Sequence, residues 1–177
     1  MNPSLTDTPA LSRRGLLKFS VGASLFLSAV GLAGCSPSQP GQGLTAVRGS
    51  DLPFLRAVIP VMLDGAVAVE QLPAATTATL QSLDTGLAHL SPAMLKLVHQ
   101  LFDVLTLGIT RGPLTGVWGA WENASADDIR QFLDRWENSS LDLLRQGHAS
   151  LLQMVMMAWY STPEAWAHCG YPGPPTV

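Results

Sequence analysis

A-D-D-I-R-Q-F-L-D-R-W-E, residues Ala126 to Glu137, decides the fold class. Ile129, Phe132, Leu133 and Trp136 recur at i, i+3, i+4 and i+7 with charges opposite, the pattern of a helix with one buried face. Ser125 in front of it and Asp128 three residues on spell a capping box with Asp in place of Glu. Asp127 and Asp128 also suit the positive end of the helix dipole. Such a stripe needs apolar partners, and the rest of the chain supplies them.

Working outward, the next segment, about Leu141 to Tyr160, carries Leu144, Leu151, Leu152, Val155 and Trp159 on one side. Met154, Met156 and Met157 widen this surface, so the helix is either central to a bundle or covered by a partner. Upstream, a helix begins near Asp51, a capping residue, with Pro53 in its first turn, where a missing N–H costs little, and carries Leu52, Leu55, Ile59 and Met62 or Leu63 on one side. Pro60 kinks or splits it, and Asp64-Gly65 falls within its pattern. A second helix covers about Thr76 to His89 with Leu80, Leu83 and Leu87 inward. Ser91-Pro92 starts a third, with Leu95, Val98, Phe102 and Leu105 as its stripe and Gly108 as its end. R-G-P-L-T-G-V-W-G, Arg111 to Gly119, reads as a loop. No run alternates as a half-buried strand would. The expected fold is therefore all-α, a single compact bundle of about five helices.

W-E-N-A-S at Trp121 to Ser125 returns as W-E-N-S-S at Trp136 to Ser140, fifteen residues on. Each copy puts a serine where a helix begins, so shared capping chemistry accounts for the echo better than a repeat architecture does.

The chain has 177 residues, 47% hydrophobic and 13% charged. Part of the apolar excess sits in the first 34 residues. There Arg13 and Arg14 precede an apolar run, Phe19 to Gly34, too short for the ~20 residues of a membrane span. Paired arginines before such a run read as a bacterial twin-arginine export signal, which the twin-arginine translocase recognises, and place the mature protein in the periplasm. L-A-G-C, Leu32 to Cys35, resembles a lipoprotein-processing box, so either Cys35 is lipidated and anchors the protein to the membrane, or the leader is cleaved as an ordinary signal. Residues 35–50, rich in Ser, Pro, Gln and Gly, read as a flexible tether, and 51–177 as the helical domain. Without residues 1–34 the chain carries 7 basic against 12 acidic residues, which argues against nucleic-acid binding.

Chemistry is scarce. His89, His99, His148 and His168 show no metal-ligand spacing, and His148 reads as a core histidine on an apolar stripe. No G-x-S-x-G, P-loop or G-x-G-x-x-G occurs, and the acidic residues fall on expected outer faces. The expectation is a chain that is not an enzyme and binds no metal or cofactor of its own. The unusual segment is the end: Thr162-Pro163-Glu164 restarts a short helix that Gly170 stops, and an irregular Pro and aromatic tail follows. Such a tail either docks on a partner as a preordered ribbon or plugs its own bundle.

That segment, Y-S-T-P-E-A-W-A-H-C-G-Y-P-G-P-P from Tyr160 to Pro175, together with Trp121 to Trp136, resembles the small subunits of the gluconate 2-dehydrogenase subunit 3 type. The resemblance covers roughly Phe102 to Pro175. It implies an accessory subunit that carries the export signal for an FAD-dependent alcohol or sugar dehydrogenase of the glucose-methanol-choline class, with FAD in the large subunit. The matching positions, Trp166, Gly170, Tyr171, Pro172, Gly173 and Pro174, would contact that subunit. Cys169 lies among them, either as a free thiol or in an intersubunit disulfide. The alternative is a stand-alone periplasmic lipoprotein that binds an apolar ligand between its helices, with the methionines as a soft wall.

Overall fold

The computed structural model describes residues 39–173, with the His168 side chain left out; Arg13, Arg14, Cys35 and Pro174 lie outside the described residues. Among the described residues the chain is all-α, with no strands. Because Gly108–Thr115 and Pro163–Cys169 each form a short helix of their own, there are seven helices rather than about five. They are α1 (Leu52–Met62), α2 (Leu72–Ala88), α3 (Pro92–Thr106), α4 (Gly108–Thr115), α5 (Ala126–Glu137), α6 (Asp142–Tyr160) and α7 (Pro163–Cys169). Single 3₁₀ turns at Val69–Gln71 and Trp121–Asn123 link them. Among the described residues no single helix is long and apolar enough to cross a membrane.

α5 has the expected bounds, and its capping box is complete: the Ser125 hydroxyl accepts from the Asp128 N–H, and the Asp128 carboxylate accepts from the Ser125 N–H. The Ser125 hydroxyl also faces that carboxylate at 2.7 Å. Hydrogen bonds from this hydroxyl and then from the backbone hold the Asp128 carboxyl below its ordinary range. Ser91 caps α3 as expected, accepting from Met94 N–H, and Gly170 ends α7 in the left-handed region at φ 71°.

Four expectations fail for identifiable reasons. Of the kink or split expected at Pro60, the split does not occur: Pro60 stays inside α1, and the helix ends at a turn where Gly65 has φ 80°. Asp64-Gly65 is thus a turn, and Asp64 there pairs with Arg130 of α5 at 2.8 Å. Arg111 to Thr115 is not loop but the larger part of α4, which meets α3 at an 80° bend after Thr106. Pro113 lies in its second turn, where it forgoes one backbone hydrogen bond, and Gly116, at φ 83°, closes the helix. The echo does not repeat its cap: Ser140 caps nothing, and α6 starts from Leu141 with no side-chain cap. What repeats is the tryptophan. Trp121 and Trp136 are both buried, and each indole N–H donates at 2.9 Å to a backbone carbonyl, of Leu105 and Leu114 respectively.

Those two rings belong to an aromatic spine through the core. Phe102, Phe54, Trp121, Phe132 and Trp136 follow one another with centroids 6.0, 5.1, 5.9 and 5.1 Å apart, tilted or edge-on. The spine joins α3, α1, the Trp121 turn and α5, while α2 packs along α6 and against α1.

The expected tether is not a flexible linker over its described residues. From Gln39 onward the chain is folded: Gly41 N–H donates to Val47 O at 2.9 Å and Gly49 N–H to Gln39 O at 3.1 Å, and Ala46 and Val47 are buried. Asp84 of α2, itself buried, accepts from the N–H groups of Thr45, Ala46 and Val47 at 2.7–3.1 Å. His99 of α3 is bonded through Nε2 to Ala46 O at 3.0 Å. Arg48 donates to the fully buried Asp51 at 2.8–2.9 Å and reaches Asp103 at 2.7 Å. Burial opposes the Arg48 charge, but hydrogen bonds to Asp51 and Asp103 outweigh it and raise its pKa. Composition could not show this strap, because its polar partners lie tens of residues away. Asp51, expected to cap α1, makes no side-chain cap bond, and Asp84 was expected on an outer face; both are instead the strap's buried anchors.

Candidate functional site

Two surface features stand apart from the core, and they differ in chemistry. The first is the carboxyl-terminal hook. Thr162 caps α7, accepting from Ala165 N–H at 3.4 Å, while its hydroxyl donates to Trp159 O at 2.8 Å, which fixes the direction in which α7 leaves α6. The Trp166 indole N–H donates back to Tyr160 O at 2.8 Å. Gly170 in the left-handed region reverses the chain, so that Tyr171 N–H donates to Trp166 O at 2.9 Å and the Tyr171 ring sits edge-on to Trp166 at 5.9 Å. Gly173, at φ 97°, continues the curl, and a Cβ built there would touch the same indole at 3.4 Å. The hook is therefore ordered by its own contacts. Tyr171 is nevertheless 48% exposed, Trp166 is half-buried, Pro172 is exposed, and Cys169 is an exposed free thiol. Of the residues expected to act together here, Trp166, Gly170, Tyr171, Pro172 and Gly173 are brought together, with Cys169 beside them.

The second feature is an apolar groove of about 1030 Å³ between α2, α3 and α6. Leu83, Leu87, Val98, Leu101, Met154 and Ala158 line it, and none of its lining side chains is charged. Met94, Leu97, Leu143 and Met157 stand along it and are more than half exposed. The groove exists because α3 bends away into α4 at Leu107, leaving its Met94 to Leu101 surface with few neighbours. Leu95 and Val98, expected inward, are accordingly only half-buried. The stripe of α6 divides in the same way: Leu151, Val155 and Trp159 are buried, while Leu152 is 38% exposed and Leu144 half-buried. His148 is half-buried on that helix.

Among the described residues no group of three His, Cys, Asp or Glu is placed to hold a metal ion. The ion pairs of the described residues centre on Arg48, with Asp51 and Asp103, on Arg130, with Asp64 and Asp127, and on Arg145, with Asp142. No protein family, curated protein or solved structure matches the chain.

Proposed function

We propose that this protein is a non-catalytic accessory subunit that escorts and assembles an exported FAD-dependent dehydrogenase of the glucose-methanol-choline class. The supporting observation is the hook: an aromatic, proline-rich terminus held in one shape by Trp166 and Gly170, with Tyr171, Pro172 and Cys169 left open to a partner. A segment already ordered loses little conformational entropy on binding, and aromatic side chains are enriched at protein interfaces. In this reading the large subunit holds FAD and oxidises the alcohol or sugar. The small one carries the twin-arginine signal, Arg13 and Arg14, for the folded pair into the periplasm. Cys35 anchors the pair by its lipid, and Cys169 forms a disulfide to the large subunit.

The test is affinity capture of the protein from the periplasmic and membrane fractions, read by the visible flavin spectrum and by electrophoresis without reductant. A flavoprotein should co-purify, partly as a reductant-sensitive adduct, and Tyr171→Ala should weaken the capture at least tenfold. Arg13→Lys together with Arg14→Lys should strand both chains in the cytoplasm. Recovery of the bait with no flavin-bearing partner would sink the reading.

A further inference from the structure

The groove between α2, α3 and α6 has no part in the hook's work, and its chemistry points elsewhere. It runs along α6 from Leu143 to Ser161, just past the helix end, eighteen rises or about 27 Å. That is the extent of an extended hydrocarbon chain rather than of a compact metabolite. Its volume of about 1030 Å³ stands at the top of the ~300–1,000 Å³ usual for small-molecule sites. Polar groups are few and uncharged. At one end Ser82 of α2 and Ser161, just after α6, are hydrogen-bonded to each other, and both hydroxyls border the groove. The Ser161 hydroxyl donates to Ala158 O at 2.8 Å, so Ser82 donates to Ser161, and the pair offers a neutral head group only its acceptor lone pairs. It can accept from a hydroxyl of such a head group but has no proton left to give a carboxylate or phosphate, and no charged side chain of the lining pairs with one.

Gly86 adds a second, independent observation. It lies in α2 beside the groove, where glycine costs roughly 1 kcal/mol relative to alanine. Packing within the chain does not demand it, since a Cβ built there would meet nothing within 4 Å. Its backbone is bare toward the groove, so an occupant can come into close contact with the helix. Met94, Met154 and Met157, unbranched and soft, can fold over a chain of variable shape.

We propose that this groove binds a neutral single-chain lipid, its hydrocarbon tail along α6 and its uncharged polar head at the Ser82–Ser161 pair. The proposal does not depend on the escort reading and stands or falls without it. The complementarity is one of charge: a lining with no ionised group accepts a neutral amphiphile and discriminates against its anionic counterpart.

The experiment uses the full chain carrying Cys35→Ser, so that no covalently attached lipid competes. The neutral fluorophore N-phenyl-1-naphthylamine should brighten on binding. 1-Monooleoylglycerol, below its aggregation concentration, should displace it at least tenfold more effectively than oleate at pH 8. Gly86→Phe fills the groove from its open side and should weaken binding of the fluorophore at least tenfold with unchanged far-ultraviolet circular dichroism. Met94→Glu, at the half-exposed edge, should weaken monooleoylglycerol binding in the same direction, while Val69→Phe, outside the groove, should leave it unaltered. Equal displacement by oleate would overturn the proposal, as would undiminished binding to a folded Gly86→Phe variant. So would a concentration-dependent dimer that excludes the fluorophore, because it would assign the groove to a second copy of the chain.

Discussion

Asp84 ties two distant parts of the chain together. One buried carboxylate accepts from three consecutive backbone N–H groups of a segment nearly forty residues away. Replacing it by alanine leaves those donors without an acceptor, two of them, at Ala46 and Val47, in a place closed to water. Each buried unsatisfied donor costs about 1–3 kcal/mol, but the strap can peel away and hydrate before both costs add in full. The expected loss for Asp84→Ala is therefore about 2–3 kcal/mol in denaturant unfolding. Amide exchange should become fast at Thr45, Ala46 and Val47 while the core amides stay protected. Asp84→Asn should fall between, because a carboxamide keeps one acceptor oxygen and turns a donor toward Thr45. Unchanged exchange in the strap would show that Asp84 does not hold it. The sequence offered no sign of this role: an aspartate amid Leu83, Leu87 and a run of Thr and Gln reads as the solvated side of a helix. Only the loop that folds back over it reverses that reading.

At the scale of the element, α5 shows how far local chemistry reaches. Its start, end and buried face were all legible, because capping and periodicity are properties of neighbours in sequence. Ser125→Ala should remove the cap and destabilise the protein by about 1 kcal/mol. The same change should return the Asp128 carboxyl toward its ordinary value of 3.8, measured by nuclear magnetic resonance titration. Since the folded protein depresses this pKa, the contribution of Asp128 is complete above the unfolded value. It is lost as pH falls through the lower, folded one. The difference in stability between the parent and Ser125→Ala should accordingly narrow below about pH 4. A difference that stayed constant into acid would mean that the cap acts without its carboxylate. α4 is the opposite case. R-G-P-L-T-G has the composition of a loop, and it is helical because α3 turns through 80° before it and Leu114 supplies a carbonyl to the Trp136 indole. Propensity was overridden by contacts that no local window contains.

For the whole molecule, the aromatic spine is the common support of the bundle, and Phe132 stands at a point where it touches both tryptophans. Phe132→Ala should cost about 3–5 kcal/mol, a large part of the ~5–15 kcal/mol that holds a domain together. Near-ultraviolet circular dichroism should fall with it, because Trp121 and Trp136 lose the ring between them. A variant that kept both its stability and that signal would place the weight of the core elsewhere. The sequence by itself determined the helical class, the faces of α5 and the inner part of α6, the start of α3, and the short terminal helix with its glycine stop. Each of these depends on residues within a few positions of one another, where backbone sterics, capping and the 3.6-residue period act directly. The tertiary structure alone decided that the strap belongs to the body, that Asp51 and Asp84 are interior, and that α3 and α6 diverge to leave a groove. Those outcomes depend on which distant surfaces meet: a buried carboxylate is stable only where N–H groups reach it, and an apolar face stays open only where no other helix arrives to cover it.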